Sequence, residues 1–262
     1  MAPSKDSFWM WGAALGVLIV ATGTALYFYQ RNHTPAAVEP VASQPQPPAA
    51  TEEGPRPVPI VPARTERAVP LPPLDQSDAD VRGGLTELLG ADAVTRFLVP
   101  QRVVRNAVVT IDNMTREKMA LNQRPIKPTG GQFVVSGPED SLVIAPENYA
   151  RYEPFVAIVK RVDAQTLVSL YRGLQPLFQQ AYEDLGNPSR NFNARLLEVI
   201  DHLLKTPDVQ GPVKLVQPSV YYRYADPKLE SLSSGQKLLL RMGPENGAAI
   251  KAKLREIQAV LS

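Results

Sequence analysis

The 262-residue sequence has no cysteine and only two histidines, and these absences exclude several kinds of site. Without cysteine the chain forms no disulfide, binds no zinc or iron–sulfur cluster through thiolates and has no cysteine nucleophile. Two histidines cannot supply a three-histidine metal site within one chain. The formal net charge of +2 gives no electrostatic reason to expect a nucleic-acid partner. We therefore predict no cofactor, no metal site and no nucleic-acid binding.

Charged residues are also missing from 7–30, and this stretch predicts a membrane anchor. The apolar run 8–29 would span about 33 Å as a helix, close to the thickness of the hydrocarbon core of a bilayer. Aromatic residues mark both of its ends, as in interfacial belts: Phe8, Trp9, Trp11, Tyr27, Phe28 and Tyr29. We predict a cytoplasmic tail over 1–7 and a single transmembrane helix over 8–29. The alternatives are a signal peptide cleaved near Gly23-x-Ala25 and a buried helix of a soluble protein.

The predicted span carries a possible dimer contact and only a weak orientation signal. Gly12 and Gly16 are four residues apart, which lets two membrane helices approach closely and predicts a homodimer. Glycine is common in membrane helices, so the spacing also arises by chance. Lys5 and Arg31 flank the span and do not decide its orientation. The downstream sequence resembles an exported region, so we place the N-terminus in the cytoplasm and the C-terminal domain outside.

Proline is concentrated in one segment, since twelve of the 26 prolines lie between Pro35 and Pro73. Proline fixes φ and removes a backbone donor, so neither a helix nor a sheet persists there. We predict that 30–73 is a disordered linker with polyproline II character that tethers a folded domain to the membrane. The alternative is a PxxP docking ligand, at Pro45 and Pro48 or at Pro59 and Pro62.

From residue 74 onward, the apolar pattern predicts one helix-dominated α+β domain with a small β-hairpin or sheet. Ser77, Asp163, Asn191 and Ser233 are predicted helix caps, the last in a capping box with Gln236. The predicted helices lie over about 78–89, around 103–111, from Pro146, from Pro154, over 163–185, after Asn191, after Asp226, after Ser233 and over about 250–261. The predicted β-hairpin pairs 132–136 with 141–144, and 213–217 and 220–224 are predicted to be strands or extended segments.

Four motifs carry a resemblance to a known family: Glu147–Tyr152, Pro176–Glu183, Val199–Leu204 and Gln236–Asn246. The chain resembles the proteobacterial envelope proteins of domain-of-unknown-function family three thousand and fourteen. The resemblance covers most of 71–262 and extends to the layout of span, proline-rich tether and C-terminal domain. It implies a Gram-negative inner-membrane protein whose domain, 74–262, faces the periplasm. It implies no activity and therefore no catalytic residue.

Two tyrosine-rich stretches are candidate sites for a ligand or a partner. Glu147, Tyr149, Arg151 and Tyr152, followed by Glu153, form a polar and aromatic cluster that could bind a polar ligand such as a glycan. The structural alternative is a helix start with an ion pair between Glu147 and Arg151 and a tyrosine in the core. In the second stretch, Tyr222 and Tyr224 share one strand face, and Tyr221 and Arg223 share the other. One face is expected in the core and the other on a contact surface.

Two further patterns match catalytic chemistry without its usual context. Ser234-x-x-Lys237 matches the nucleophile motif of penicillin-binding enzymes, but their other motifs, Lys-Thr-Gly and Ser-Asp-Asn, do not occur. We interpret it as a helix start. His202, beside Asp201 and Glu198, could act as a general base or a metal ligand. It lies in a leucine-rich helix without a second histidine, so we interpret it as structural.

These patterns favour a non-enzymatic interaction or scaffold domain, anchored in the inner membrane and serving envelope assembly with an envelope protein partner. The long tether motivates this hypothesis, because the domain must then reach something distant. The alternative is a periplasmic hydrolase or transferase that acts on cell-wall glycan through Glu147 and Glu153, which would require two carboxylates in a deep cleft. A third hypothesis, a lipid shuttle, requires a dry cavity lined by leucine and valine.

Overall fold

A computed structural model describes residues 71–119 and 122–262. The predicted transmembrane helix at 8–29, the Gly12 and Gly16 pair and the linker up to residue 70 lie outside the described residues. Within the described ranges, no helix combines the length and the apolar character needed to span a bilayer.

The described part is the predicted helix-dominated α+β domain, with two small antiparallel hairpins. Its helices are α1 (Asp78–Leu89), α2 (Ala91–Phe97), α3 (Val103–Asn113), α4 (Glu147–Ala150), α5 (Glu153–Arg161), α6 (Ala164–Asp184), α7 (Phe192–Leu204), α8 (Pro227–Glu230), α9 (Ser234–Arg241) and α10 (Pro244–Leu261). Its strands are β1 (Val135–Ser136), β2 (Val143–Ile144), β3 (Leu215–Val216) and β4 (Arg223–Tyr224).

The main core forms around α6, which packs against α3 on one side and α10 on another. Aromatic rings fill its centre: Phe178 and Phe192 stack with centroids 5.5 Å apart, and Tyr171 and Tyr182 meet them edge-on or tilted. Such ring pairs add roughly 0.5–1.5 kcal/mol each beyond the burial of their area. The motif Pro176–Glu183 therefore serves the core.

The predicted helix caps show which helix starts are stabilised by residues that are close in sequence. The side chains of Asp163, Asn191 and Ser233 accept backbone N–H bonds as predicted, and Ser233 forms the full capping box with Gln236. The predicted cap at Ser77 is wrong, although α1 begins directly after it. A 3-10 turn, Leu74–Gln76, precedes α1, and the Ser77 hydroxyl donates back to the carbonyl of Leu74 at 2.7 Å.

The two hairpins form a second, smaller core beside the helices. In β1 and β2, Val135 pairs with Ile144, and in β3 and β4, Leu215 pairs with Tyr224. An isolated bridge between Val143 and Lys214 joins the two hairpins. The inward side chains of both pack with Leu240 of α9 into one apolar cluster: Ile144, Val213, Leu215, Tyr224 and Leu240. The predicted hairpin is therefore confirmed, and the two segments predicted as strands or extended segments pair as a second hairpin, although each strand has only two paired residues.

Candidate functional site

Two of the four resemblance motifs meet at Tyr149 and Gly243. Gly243 has φ +84°, and a Cβ atom there would lie 2.6 Å from Cγ of the Tyr149 ring. The Asn246 amide donates to the carbonyl of Tyr149 at 3.0 Å and to that of Met242 at 2.9 Å. Glycine is thus required twice at position 243, by the backbone conformation and by the ring. The motifs Glu147–Tyr152 and Gln236–Asn246 form one structural unit.

Asn148 fastens this unit to the first hairpin, a role that the sequence did not reveal. Its side chain is 4% exposed. Its Oδ1 accepts the N–H of Val134 at 3.0 Å, and its Nδ2 donates to the carbonyls of Val134 and Ala145 at 2.6 and 2.8 Å. A buried amide needs such partners. The one available signal was an asparagine four residues after the predicted strand 141–144, close to where backbone groups lose their ladder partners.

A cleft of about 380 Å³ opens beside the ring of Tyr149. The lining on one side is the loop 206–211, and on another it is the first two turns of α10, including Gly247 and Ala248. Val213 and Leu239 lie at its base. The walls are mainly apolar, and the carboxylates of Asp208 and Glu245 belong to the lining.

Lys251 is the buried cation of this cleft, with a side chain only 7% exposed. Its ammonium donates to the carbonyl of Thr206 at 2.6 Å and to Oδ1 of Asp208 at 2.7 Å. The hydrogen bond and charge of Lys251 lower the pKa of the exposed Asp208 carboxyl, with Arg255 contributing less. Sequence reasoning missed this pair, although a lysine next to the apolar stripe of the last helix signals a buried charge that needs a partner.

The other predicted residues of this region divide between the surface and the interior. Glu147 and Glu153 are exposed and do not line the cleft. Arg151 is half-buried, and its guanidinium donates to Oδ1 of Asn148 at 3.3 Å. Burial lowers the pKa of Arg151, while the charge of Glu147 acts in the opposite direction. The predicted polar cluster is therefore partly a structural contact.

Tyr152 and Tyr224, predicted from separate stretches, come together around Arg241. Both rings are buried, at 8% and 3% exposure, which leaves no surface for direct contact with a macromolecule. The guanidinium carbon of Arg241 lies 5.9 Å from the Tyr224 ring centre, a cation–π arrangement. Burial raises the pKa of Tyr224 to about 12, although the charge of Arg241 works against the rise. Burial also raises the pKa of Tyr152, again opposed by Arg241.

The second hairpin divides its tyrosines between two faces, as strand alternation predicts. Tyr224 faces the small core, and the half-buried Tyr222 contacts Phe133 with ring centres 5.9 Å apart. The opposite face, with Tyr221 and Arg223, is exposed. We define the hairpin surface as the four exposed apolar residues in or next to the two hairpins: Val134, Val216, Val220 and Tyr221.

The residues that matched catalytic patterns have structural roles. Ser234 is fully buried, and its hydroxyl donates to the carbonyl of Asn113 at 3.0 Å. Lys237 forms an ion pair with Glu230 at 3.2 Å. His202 bonds the capping hydroxyl of Ser233 at 2.8 Å through Nε2. In the part of the chain that the structure describes, no group of three histidine, aspartate or glutamate side chains could hold a metal ion.

A family model covers the unit built from these residues. It matches residues 103–258, from the first residue of α3 to the last turn of α10, and so includes the cleft and both hairpins. Neither the curated proteins nor the solved structures give a match to the chain. The expected family is confirmed, and the chain belongs to the family described as Protein of unknown function (DUF3014).

Proposed function

We propose that the protein is a membrane-tethered periplasmic domain that binds an envelope protein through the hairpin surface, without catalysing a reaction. The supporting observation is where apolar area is exposed. Among the described residues, five large hydrophobic side chains are exposed, and four of them form the hairpin surface. The fifth, Leu185, lies at the end of α6. Three of the four, Val216, Val220 and Tyr221, belong to the second hairpin, and Val134 lies beside the first. Exposed apolar residues that cluster, as these three do in one hairpin, indicate a contact site, whereas scattered ones are ordinary.

The charges around the hairpin surface favour a protein partner over a lipid surface. Lys214 and Arg223 lie on the same outer face as Val216 and Tyr221. The 3-10 turn Glu139–Ser141, which carries Glu139 and Asp140, contacts β3 at its side. An apolar centre surrounded by both signs of charge is typical of protein interfaces. Anionic leaflets select clusters of basic residues alone.

The cleft contains two carboxylates, Asp208 and Glu245, but not the pair that the glycan-hydrolase alternative names. Glu147 and Glu153, the carboxylates of that alternative, lie outside it. Asp208 is ion-paired with Lys251, which lowers its pKa. A general acid in glycoside hydrolysis requires the opposite, a carboxyl whose pKa is raised. The geometry therefore supports binding better than hydrolysis.

The predicted tether gives this surface a role at a distance from the membrane. A linker of 30–73 would reach about 136 Å if fully extended at ~3.1 Å per residue. Attachment to the same membrane as the partner also raises the effective concentration, so a modest interface is sufficient. We therefore expect a partner that is itself anchored in, or bound near, the inner membrane.

Matched substitutions test the interface. We propose Val220→Asp in the hairpin surface and Leu185→Asp at the exposed control position, each in the full-length chain expressed in its membrane. Both positions are exposed, so neither change should unfold the domain. Val220→Asp should reduce recovery of the partner at least tenfold in reciprocal pull-downs, and Leu185→Asp should leave it unchanged. Equal recovery with both variants, or turnover of isolated glycan by the unmodified protein, would reject the proposal.

The anchor needs a separate test, because the predicted span lies outside the described residues. Alkaline extraction of membranes should leave the full-length chain in the pellet. A reporter fused to the C-terminus that is active only in the periplasm should be active. A mature chain that is freely soluble, or a cytoplasmic C-terminus, would contradict the anchored topology without deciding whether the hairpin surface binds a protein.

A further inference from the structure

A shallow depression between α2 and α5 differs in charge from the hairpin surface. It has a volume of about 470 Å³ and is lined by these two helices and the end of α1. Its apolar lining is half-buried and consists of Leu89, Phe97, Pro154 and Ile158. Every residue of the lining is half-buried or exposed, whereas a small-molecule site encloses most of its ligand. The depression is therefore suited to contact with another surface.

Two arginines from different helices lie at this depression. Arg96 belongs to the last turn of α2, Arg161 is the last residue of α5, and both are exposed. The guanidinium carbon of Arg96 lies 5.1 Å from the ring centre of Phe97, which places a positive charge beside the apolar lining. Within 71–119 and 122–262, neither arginine forms a hydrogen bond or an ion pair. Both charges are therefore available to an anion.

Positive charge predominates around the two arginines. The ammonium of Lys127 is close to α2, because it donates to the carbonyl of Thr95 at 2.7 Å. Lys160 belongs to the last turn of α5. The carboxylates nearby are Asp92 in the lining and Glu153, which begins α5 at the end opposite the arginine. Basic side chains next to apolar ones are the combination that anionic lipid surfaces bind.

We infer that this depression docks the domain onto the anionic phospholipid surface of the membrane to which the chain is tethered. Lipid phosphates pair with Arg96 and Arg161, since a planar guanidinium binds phosphate through two parallel hydrogen bonds. The apolar lining contacts the boundary between the headgroups and the acyl chains. A tether keeps the domain near this surface, so a contact with few charges is sufficient. The inference rests on the proposed anchor and not on the proposed protein partner.

Docking changes where the hairpin surface operates. A docked domain lies against the bilayer, so the hairpin surface then meets partners close to the membrane, and an undocked domain explores the full reach of the tether. Exposed charges are screened by salt, so raised ionic strength should release the domain.

The absence of cysteine allows one nitroxide label to report on docking. The label is attached to Ala91→Cys, an exposed position of the depression, in the full-length chain in nanodiscs. Power-saturation electron paramagnetic resonance compares collisions of the label with oxygen, which concentrates in the bilayer, and with a water-soluble nickel complex. In discs of equal parts phosphatidylglycerol and phosphatidylcholine, collisions with nickel should be about fivefold fewer than in discs of phosphatidylcholine alone.

Matched charge reversals complete the test. Arg96→Glu should restore the collisions with nickel, and Lys228→Glu, an equal change of charge at an exposed position of α8, should not. Equal collision rates in the two kinds of disc, or equal effects of the two reversals, would overturn the inference. A chain that does not remain in the discs would overturn it together with the proposed anchor. Val220→Asp should leave the signal unchanged, so a failure of the hairpin interface gives a different result.

Discussion

The helical core and the hairpin layer of this domain are built in different ways. The core is a continuous apolar cluster that α6 fills with stacked rings, and its stability is spread over many buried side chains. The hairpin layer has strands of two residues, held by single side chains such as Asn148 and by a small cluster around Leu215. A layer with so little regular structure exposes apolar residues that the core would bury. The comparison locates stability in the helices, and the hairpins are where we propose that recognition takes place.

The largest expected effect contrasts a core ring with a residue of the hairpin surface. Phe192 is fully buried among three other rings, so Phe192→Ala should lower the free energy of unfolding by about 4 kcal/mol. Val220→Ala, at an exposed position, should change it by less than about 0.5 kcal/mol. Chemical denaturation followed by circular dichroism measures both. Similar losses for the two variants would remove the distinction between the regions.

The next largest effect is expected at Gly243, where the helical core and the hairpin layer meet. Gly243→Ala forces an L residue to φ +84° and places its Cβ against the Tyr149 ring, so we expect a loss of about 3 kcal/mol. Gly90→Ala has the same strain at φ +86°, but nothing lies within 4 Å of its Cβ. That control should lose only the backbone strain, about 2 kcal/mol. If the two variants unfold at the same denaturant concentration, the Tyr149 contact contributes nothing.

A smaller effect distinguishes tyrosine hydroxyls in the two regions. The hydroxyl of Tyr182 in the core is buried and has no hydrogen-bond partner among the described residues, so Tyr182→Phe should stabilise the protein by about 1 kcal/mol. The hydroxyl of Tyr224 in the hairpin layer donates to the carbonyl of Lys237 at 3.2 Å, so Tyr224→Phe should cost about 1 kcal/mol. Thermal unfolding of both variants should give shifts of opposite sign. A destabilised Tyr182→Phe would indicate a partner, such as an internal water, for that hydroxyl.

The smallest expected effect is a pH dependence of stability caused by His202, which lies on α7 and bonds Ser233 at the start of α9. Burial lowers the pKa of His202 from its ordinary value of 6.5, helped by Lys205 and Arg195 and opposed by Glu198. The unfolded chain therefore binds the proton more tightly than the folded chain. Stability should be complete above the unfolded pKa and should fall as the pH drops from about 6.5 towards the lower folded value. Denaturation midpoints between pH 7.5 and 5 should show this slope, and His202→Gln should flatten it.

Local signals in the sequence predicted most of the helical region. The apolar stripes placed α3, α6, α7 and α10, and the caps at Asp163, Asn191 and Ser233 were correct because the backbone N–H donors that they accept lie three residues away. Ser77 failed as a cap because its hydroxyl donates to the carbonyl of Leu74 in the preceding 3-10 turn, and its neighbour Asp78 makes a contact that no local pattern predicts. The Asp78 carboxylate next to it accepts the backbone N–H groups of Arg102 and Val103, 24 and 25 residues away.

The candidate sites were less predictable for the same physical reason. Tyr149 was recognised from its aromatic neighbours, but the cleft beside it depends on a loop and a helix about 60 to 100 residues further along the chain. The hydrogen-bond acceptors of Lys251 are 43 and 45 residues away along the chain. Asp112, which accepts a hydrogen bond from Arg195, is 83 residues away from it. Strand alternation correctly separated the faces of Tyr222 and Tyr221. It could not show which face was buried, since that depends on Phe133 and Leu240.

The most direct test of the central claim is photo-crosslinking in living cells from the full-length chain. A photoreactive amino acid replaces Tyr221 in the hairpin surface or, as the control, Leu185 at the other exposed apolar position. Our account predicts that position 221 forms a discrete adduct with one envelope protein, and that position 185 forms none with that protein. The same adduct from both positions, or no protein adduct from 221 in chains that are correctly inserted, would contradict it.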